Sequence, residues 1–370
     1  MTPRLGRFAQ LGAVVIAVLA SMSVGGRPPA FDPGPTTQVG FTFTPWAARY
    51  AGLDPDTALD ILLDRLEPDL VRLPVYWSDV APAPGQFDFS TVDAMLDRVQ
   101  AYDAQASRPA RVVLVVGLRN VGFPELWPPR WALSEVDNGV ATLATTSDFA
   151  RYVASTVTRY AGSPLLAAWQ VENEPLDDVD SGYTGHAQLS LDAVRSERDL
   201  VHAGGPRHPV IVTSYNSATA DLDELGMSPF VNLYRPLPLP QPVGHPLDAM
   251  NTGDILGLDV YVVTVNTSLA EDAALKRIVW KRDILDYWSK LAVDSGKTMW
   301  VTEMQAAPWN GVDGYDTTGL LQSASAYYDR GAAAVLLYGV ESWFANPQWL
   351  AAGERAVHIM RGEEAPLPLP

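Results

Sequence analysis

Two short segments of this sequence close on a carboxylic acid placed where it can act on a bond. Trp169-Gln170-Val171-Glu172-Asn173-Glu174-Pro175 and Trp300-Val301-Thr302-Glu303-Met304 both begin as apolar, β-rich runs and end on ionisable side chains. Two carboxyl groups facing one another are what double-displacement hydrolysis of a glycosidic bond needs: one protonates the departing oxygen, the other attacks the sugar. On that chemistry Glu174 and Glu303 are the candidate pair, one as acid and base and the other as nucleophile. Glu172 is the rival for the place of Glu174, but it lies two residues deeper in its run and reads as a buried structural partner. A lone Asn-Glu-Pro tripeptide carries little weight, because a loop or helix can begin with it by chance. It gains weight only from a scaffold that brings the second carboxylate to the same place.

That scaffold is legible as alternation. From about residue 37 onward, β-rich runs occur at 38–43, 70–76, 111–119, 165–173, 209–215, 255–263, 298–304 and 333–341, separated by amphipathic helical stretches. Strands alternating with helices call for a parallel sheet, and eight of them close a (β/α)8 TIM barrel, an α/β fold, whose sites form at the carboxyl ends of the strands. Glu174 ends the fourth run and Glu303 the seventh, so both come to the barrel mouth. Strict strand alternation sends Asn173 and Glu174 to opposite faces, so the chain must leave ideal strand geometry there, and Pro175 marks the place.

The intervening helices show single apolar stripes: Leu59, Leu62, Leu63 and Leu66 after Asp54-Pro55; Val92, Met95, Leu96 and Val99 after an N-cap at Ser90; Phe149, Tyr152, Val153 and Val157 before the fourth strand. The pattern lapses into a proline-rich stretch over residues 228–253, too long for an ordinary connection and read equally as a lid or as an inert insertion. No fixed-period repeat and no second domain is visible. The division is therefore residues 1–26 as a signal peptide or anchor, 27–36 as a linker, 37–362 as a single catalytic domain and 363–370 as a flexible tail.

Composition narrows the partners. The chain has 370 residues, 47% hydrophobic and 19% charged, with a formal net charge of −17. An acidic surface argues against nucleic acid, which is bound by clustered Lys and Arg, and suits a neutral substrate. With no cysteine, disulfides, thiolate nucleophiles and cysteine-ligated metals are excluded, and the five histidines show no pair at helical zinc-site spacing. No glycine-rich phosphate loop is present, so no cofactor and no metal is expected. Arg4 and Arg7 precede an apolar stretch from Leu11 to Val24 that is shorter than the roughly 20 residues of a membrane span. Export by a cleaved signal, to the outside or the cell envelope, is the expectation, with an uncleaved anchor as its alternative.

The segment WQVENEP, with WVTEM well downstream, resembles glycoside hydrolase clan A, whose acid/base and nucleophile end strands four and seven. VRLPVYWSDVAPAPGQFDFSTVDAMLDRV is similar to the second strand and helix of that clan, especially its cellulase-like, β-galactosidase-like and β-xylosidase-like members. The resemblance implies a retaining (β/α)8 glycosidase with Asn173 and Glu174 as the Asn-Glu pair and Glu303 as the nucleophile. It also implies Arg72 as the strand-two arginine supporting that nucleophile, Tyr261 as the strand-six tyrosine beside it, and Trp343, at the end of strand eight, as a sugar platform. Asp259 stands where some families of the clan have a histidine two residues before that tyrosine.

Elementary chemistry agrees with the roles: a guanidinium favours the charged nucleophile, and an acid crowded by a neighbouring carboxylate and aromatic walls keeps its proton. Asn173 can bond the hydroxyl next to the reacting carbon. Arg72 has a plainer reading as a structural ion pair. Of the 11 tryptophans and their aromatic neighbours, Trp46, Tyr76, Trp77, Trp127, Tyr215 and Trp309 fall at or past strand ends and serve equally as sugar walls or as core. The expected partner is a carbohydrate substrate. The expected reaction is retaining hydrolysis of an O-glycosidic bond, most simply a β bond of an oligo- or polysaccharide. A barrel that only binds carbohydrate, or an envelope transglycosylase using the same residues, are the competing functions.

Overall fold

The computed structural model describes residues 37–122, 124–133, 140–176, 188–215, 246–262, 273–308 and 315–370. Eight strands follow one another in chain order: β1 (Gln38–Thr42), β2 (Leu70–Pro74), β3 (Arg111–Val116), β4 (Leu166–Val171), β5 (Val210–Ser214), β6 (Ile255–Val260), β7 (Thr298–Gln305) and β8 (Ala334–Tyr338). Each pairs in parallel with the next, and β8 returns to β1 with Val39 opposite Val335, so the sheet is a closed barrel with no free edge. The strands are short and almost wholly buried because they are covered on both faces.

The helices lie outside, on the stripes the sequence shows. Helix α1 (Pro45–Tyr50) is followed by α2 (Pro55–Leu66), which buries Leu59, Leu62, Leu63 and Leu66 and is capped by Asp54 accepting from the Thr57 N–H at 2.9 Å. Then come α3 (Trp77–Val80) and α4 (Ser90–Asp103), with Val92, Met95, Leu96 and Val99 inward. After α5 (Val140–Leu143), α6 (Ser147–Tyr160) buries Phe149, Tyr152, Val153 and Val157. The outer layer continues with α7 (Leu191–Gly204), α8 (Pro246–Thr252), α9 (Ala273–Asp294), α10 (Thr317–Tyr327) and α11 (Pro347–Met360). The apolar material forms two clusters: a large one between sheet and helices, and a small one inside the barrel built on Leu70, Val113, Ile211, Ile255, Trp300 and Leu336. The interior cluster is a floor, and the polar residues of the strands lie above it.

Several sequence expectations need correction. Ser90 is the first residue of α4 and not its cap; the carboxylate of Asp88 accepts the Ser90 N–H at 2.9 Å, because a short acceptor two residues upstream reaches the first orphan donor. The end of the proline-rich stretch folds as α8, where Pro246 sits at the start and lends its fixed φ to a helix instead of breaking one. Residues 363–370 are tied down: Leu367 donates its N–H to Ser325 Oγ at 2.9 Å, Glu363 pairs with Arg108 at 2.8 Å, and Leu369 packs against the core. The expected leader and linker, residues 1–36, and residues 216–245 of the proline-rich stretch lie outside the described residues.

The apolar runs also overran the strands at their carboxyl ends. β2 stops at Pro74, β3 at Val116, β4 at Val171 and β6 at Val260, whereas the runs continue to Tyr76, Arg119, Asn173 and Val263. Residues in that margin leave the ladder to turn over the mouth, and several are those the chemistry uses.

Candidate active site

Arg72 of β2 is the fixed point of the mouth. Its guanidinium is fully buried and spends its donors in three directions: Nε to Thr42 Oγ1 at 2.8 Å, Nη1 to Gln170 Oε1 at 2.9 Å and Nη2 to Glu303 Oε1 at 2.6 Å. A planar fork held by β1 and β4 can present its third edge to β7 in only one orientation. Tyr261, just past β6, donates its hydroxyl to Glu303 Oε2. Both oxygens of Glu303 are therefore held, one by a cation and one by a neutral phenol. Burial pushes the Tyr261 hydroxyl well above its ordinary range and the charge of Glu303 adds to this, so the phenol stays a donor. Tyr338 at the end of β8, 6.2 Å from Tyr261 between ring centres, is raised by the same two causes.

The end of β4 departs from strand geometry as alternation required. Glu172 has φ 59° and Glu174 φ 45°, two left-handed residues on either side of Asn173. Such conformations are uncommon outside glycine and must be held by their surroundings. Glu172 supplies the hold: its carboxylate accepts the N–H groups of Leu118 at 2.8 Å and Arg119 at 2.5 Å. Gly117 lies so close that a Cβ there would come within 2.5 Å of the Glu172 carboxyl carbon, and its φ of 141° also suits only glycine. Behind Glu172 sits Glu197 of α7. Burial raises the Glu197 carboxyl far above the ordinary carboxylate range, and the neighbouring Glu172 raises it further. Burial raises Glu172 too, against the pull of its two N–H donors and Arg119. Of the pair, Glu197 is the carboxyl pushed further toward its neutral form.

With β4 turned in this way, Asn173 accepts from Gln170 Nε2 at 3.1 Å through its side-chain oxygen, and Glu174 donates its N–H to Thr213 Oγ1 of β5 at 2.8 Å. The Glu174 carboxylate is nearly buried, 4.0 Å from Nη2 of Arg119, which is itself bound to Glu125 at 2.8 Å. Oxygens of Glu174, Glu303 and Asp259 all lie within 4.8 Å of one another, and all three side chains are buried. An oxygen of Glu174 within 4.8 Å of an oxygen of Glu303 is compatible with the close approach, about 5 to 5.5 Å between carboxyl groups, of a retaining pair.

The structure thus brings together Arg72, Asn173, Glu174, Tyr261 and Glu303, and keeps Trp343 apart. Trp343 is buried in the 3-10 helix Val340–Ala345, its indole N–H donates to Ala306 O at 2.6 Å, and its ring fills the space over Gly353 of α11, where a Cβ would meet it at 2.2 Å. A ring packed on that helix offers no face to a sugar, which corrects the platform expectation. Trp77 is core as well. Trp127 stacks on Tyr76 at 3.9 Å, Trp46 stacks on the exposed Tyr50 at 5.3 Å, and Tyr215 lies 5.7 Å from Tyr261, so the aromatic walls stand on the β1–β3 and β5–β6 sides. Trp309 lies outside the described residues. The sequence reading missed Thr42, Gln170, Thr213, Arg119 and Glu125. Their signal was available as polar side chains within or just past otherwise apolar strands.

No family model matches the chain, and no curated protein matches its sequence. Solved structures do match. A GH5_18 protein of Streptomyces cattleya in complex with GlcNAc superposes with TM-score 0.62 at 16% identity, over 90% of this chain and 82% of that one. A GH5_18 variant of Bifidobacterium longum in complex with Manβ1-4GlcNAc gives 0.61 at 14%, over 90% and 80%. A β-galactosidase of the haloarchaeon Halorubrum lacusprofundi gives 0.57 at 16%, over 87% of this chain and 58% of that one. The chain has the (β/α)8 fold of these glycosidases.

Proposed function

We propose that this chain is a retaining glycoside hydrolase of the clan A type acting on β-linked sugars. The observation that carries the reading is the approach of two buried glutamates from opposite sides of the barrel, Glu174 and Glu303, to within 4.8 Å. In the first step Glu303 attacks the anomeric carbon, the bond to the leaving oxygen breaks, and Glu174 gives that oxygen its proton. The glycosyl ester on Glu303 is then hydrolysed by a water whose proton passes to Glu174, which restores both groups. Arg72 and Tyr261 each hold one oxygen of Glu303 and so aim it, and release it as its charge is consumed. Asn173, its oxygen held by Gln170, turns its amide N–H toward the hydroxyl beside the reacting carbon.

A neutral glycan suits a chain of net charge −17, and a β-mannoside linked to an N-acetylhexosamine heads the substrates to try, since that disaccharide occupies one of the similar structures. We further propose that residues 37–362 form the catalytic unit, preceded by an export segment, so that the substrate is met outside the cytoplasm.

The test is stereochemical. Hydrolysis of aryl β-mannoside, β-glucoside and β-galactoside followed by proton NMR should give the β anomer first, and Glu303→Ala should lower turnover by several orders of magnitude. An α product, or an active Glu303→Ala protein, refutes the assignment.

A further inference from the structure

One carboxylate at the mouth, that of Glu125, is only half engaged. Past β3 the chain folds back on itself: the Asn120 N–H donates to Glu125 O at 2.8 Å, and the Trp127 N–H donates to Leu118 O at 3.0 Å. Leu126 packs against the core and Trp127 stacks on Tyr76, so the returning limb is fixed on both sides of Glu125's neighbour. From there Glu125 Oε2 accepts Nη2 of Arg119 at 2.8 Å. The same nitrogen lies 4.0 Å from Oε2 of Glu174, so Glu125 and the acid of the catalytic pair converge on one corner of one guanidinium. The other oxygen of Glu125, Oε1, accepts no hydrogen bond among the described residues, and the side chain keeps 22% of its surface exposed.

A carboxylate has room for about four donors, and unused acceptor capacity in a place largely shut off from water is costly. Burial raises the Glu125 carboxyl, Arg119 opposes this, and the charge of Glu303 adds to the rise, so Glu125 lies within electrostatic reach of the nucleophile as well as beside the acid. The ring that meets both Glu174 and Glu303 is the sugar passed to Glu303, because its anomeric carbon lies between them. We propose that Glu125 is a specificity-determining residue: Arg119 fixes its carboxylate through Oε2, and Oε1 accepts a hydroxyl of the transferred sugar. The hydroxyl it reads is a different one from that beside the reacting carbon, which falls to Asn173. A site built to bond a hydroxyl rejects the sugar that lacks it, since the protein group is then left without its partner.

The proposal rests on the glycosidase reading, and its test separates the two. The best-hydrolysed aryl β-glycoside and its deoxy analogues at the third, fourth and sixth carbons are compared as kcat/KM for the full chain, Glu125→Ala and Glu125→Gln, with Glu303→Ala as the control. In the full chain one analogue should be poorer than the parent glycoside by about 10- to 150-fold, the range for a hydrogen bond to a charged group. In Glu125→Ala the parent glycoside should fall to the level of that analogue, with the ratios at the other two positions unchanged. Should Glu125→Ala not fold, Glu125→Gln keeps an oxygen for Arg119 and loses the charge, and the ratio at the same position should drop to about 2- to 10-fold. A Glu125 that only holds Arg119 in place would lower every substrate together and leave all three ratios as they were. That result in a folded variant overturns the proposal while leaving the two glutamates assigned. Turnover that survives Glu303→Ala overturns the glycosidase reading, and the role of Glu125 with it.

Discussion

Arg72→Met tests the centre of the site with both a stability and a rate. Arg72 and Glu303 are 0% and 3% exposed at the side chain, and the variant leaves a carboxylate, a threonine hydroxyl and a glutamine oxygen without the donors that now meet them. Breaking a buried ion pair by removing one partner costs about 3 to 5 kcal/mol. At about 2.1 cal/mol/K per residue a chain of 370 residues unfolds with an entropy near 0.8 kcal/mol/K, so the loss appears as a fall in Tm of about 4 to 6 °C. The same energy in the barrier corresponds to a loss of about 10²- to 5 × 10³-fold in kcat/KM. Arg72→Lys keeps the charge without the fork and should fall between. Replacing both partners, as Arg72→Met with Glu303→Gln, should recover part of the lost stability, because no unpaired buried charge remains. Differential scanning calorimetry and aryl-glycoside kinetics give both readouts. An Arg72→Met protein that melts within 1 °C or so of the parent and keeps most of its activity would refute the reasoning, since a buried charge would then be tolerating the loss of the cation that holds it at no cost.

Glu174→Ala should slow glycosides of poor leaving groups far more than activated aryl glycosides, and added azide should restore part of the rate; equal losses on both substrates would send the acid role back to Glu172. The pH dependence of stability carries the signature of the buried carboxyls. Burial pushes Glu341 up to about 7, against the Thr44 N–H and hydroxyl it accepts, and raises Glu197 well above its ordinary 4.5. A carboxyl raised in the folded state holds a proton the unfolded chain has lost, so stability falls as pH rises from about 4.5 to about 7. The Tm should decline across that window, and Glu341→Gln or Glu197→Gln should each flatten the decline; a Tm that climbs from pH 5 to 7.5 in the parent and does not respond to either variant would show that these groups ionise freely.

The parts of the fold that were legible in the sequence were those encoded in short-range periodicity. Eight β-rich runs and the stripes on α2, α4 and α6 appear because a strand buried on both faces and a helix buried on one must each show it in consecutive residues. The boundaries were not legible at the mouth. Residues such as Tyr76, Arg119 and Asn173 continue an apolar run in sequence while leaving the ladder in space, and nothing local distinguishes the two. The tail went the same way: Leu367 and Leu369 read as frayed polymer because their partners, Ser325 and the outer core, lie about 40 residues or more away.

The site divides along the same line. Its two glutamates stand out in the sequence, because an ionisable residue at the end of an apolar strand is costly unless used, whereas Arg72 is implied there by the resemblance to clan A. The departure of the chain from strand form at Glu172 and Glu174 also followed from the sequence, since alternation cannot place Asn173 and Glu174 on one face. What β4 bonds to, which of two oxygens Arg72 holds, and the burial of Trp343 under Gly353 depended on contacts between strands far apart in the chain. The separation of Glu174 from Glu303 is of this kind. It is the sum of barrel closure, register and two left-handed residues, none of which either segment contains alone. Residue type thus determined which groups can do the chemistry, whereas the tertiary structure alone decided their distances, their partners and which third carboxylate lies beside them, because electrostatic and packing energies depend on positions in space that local sequence does not specify.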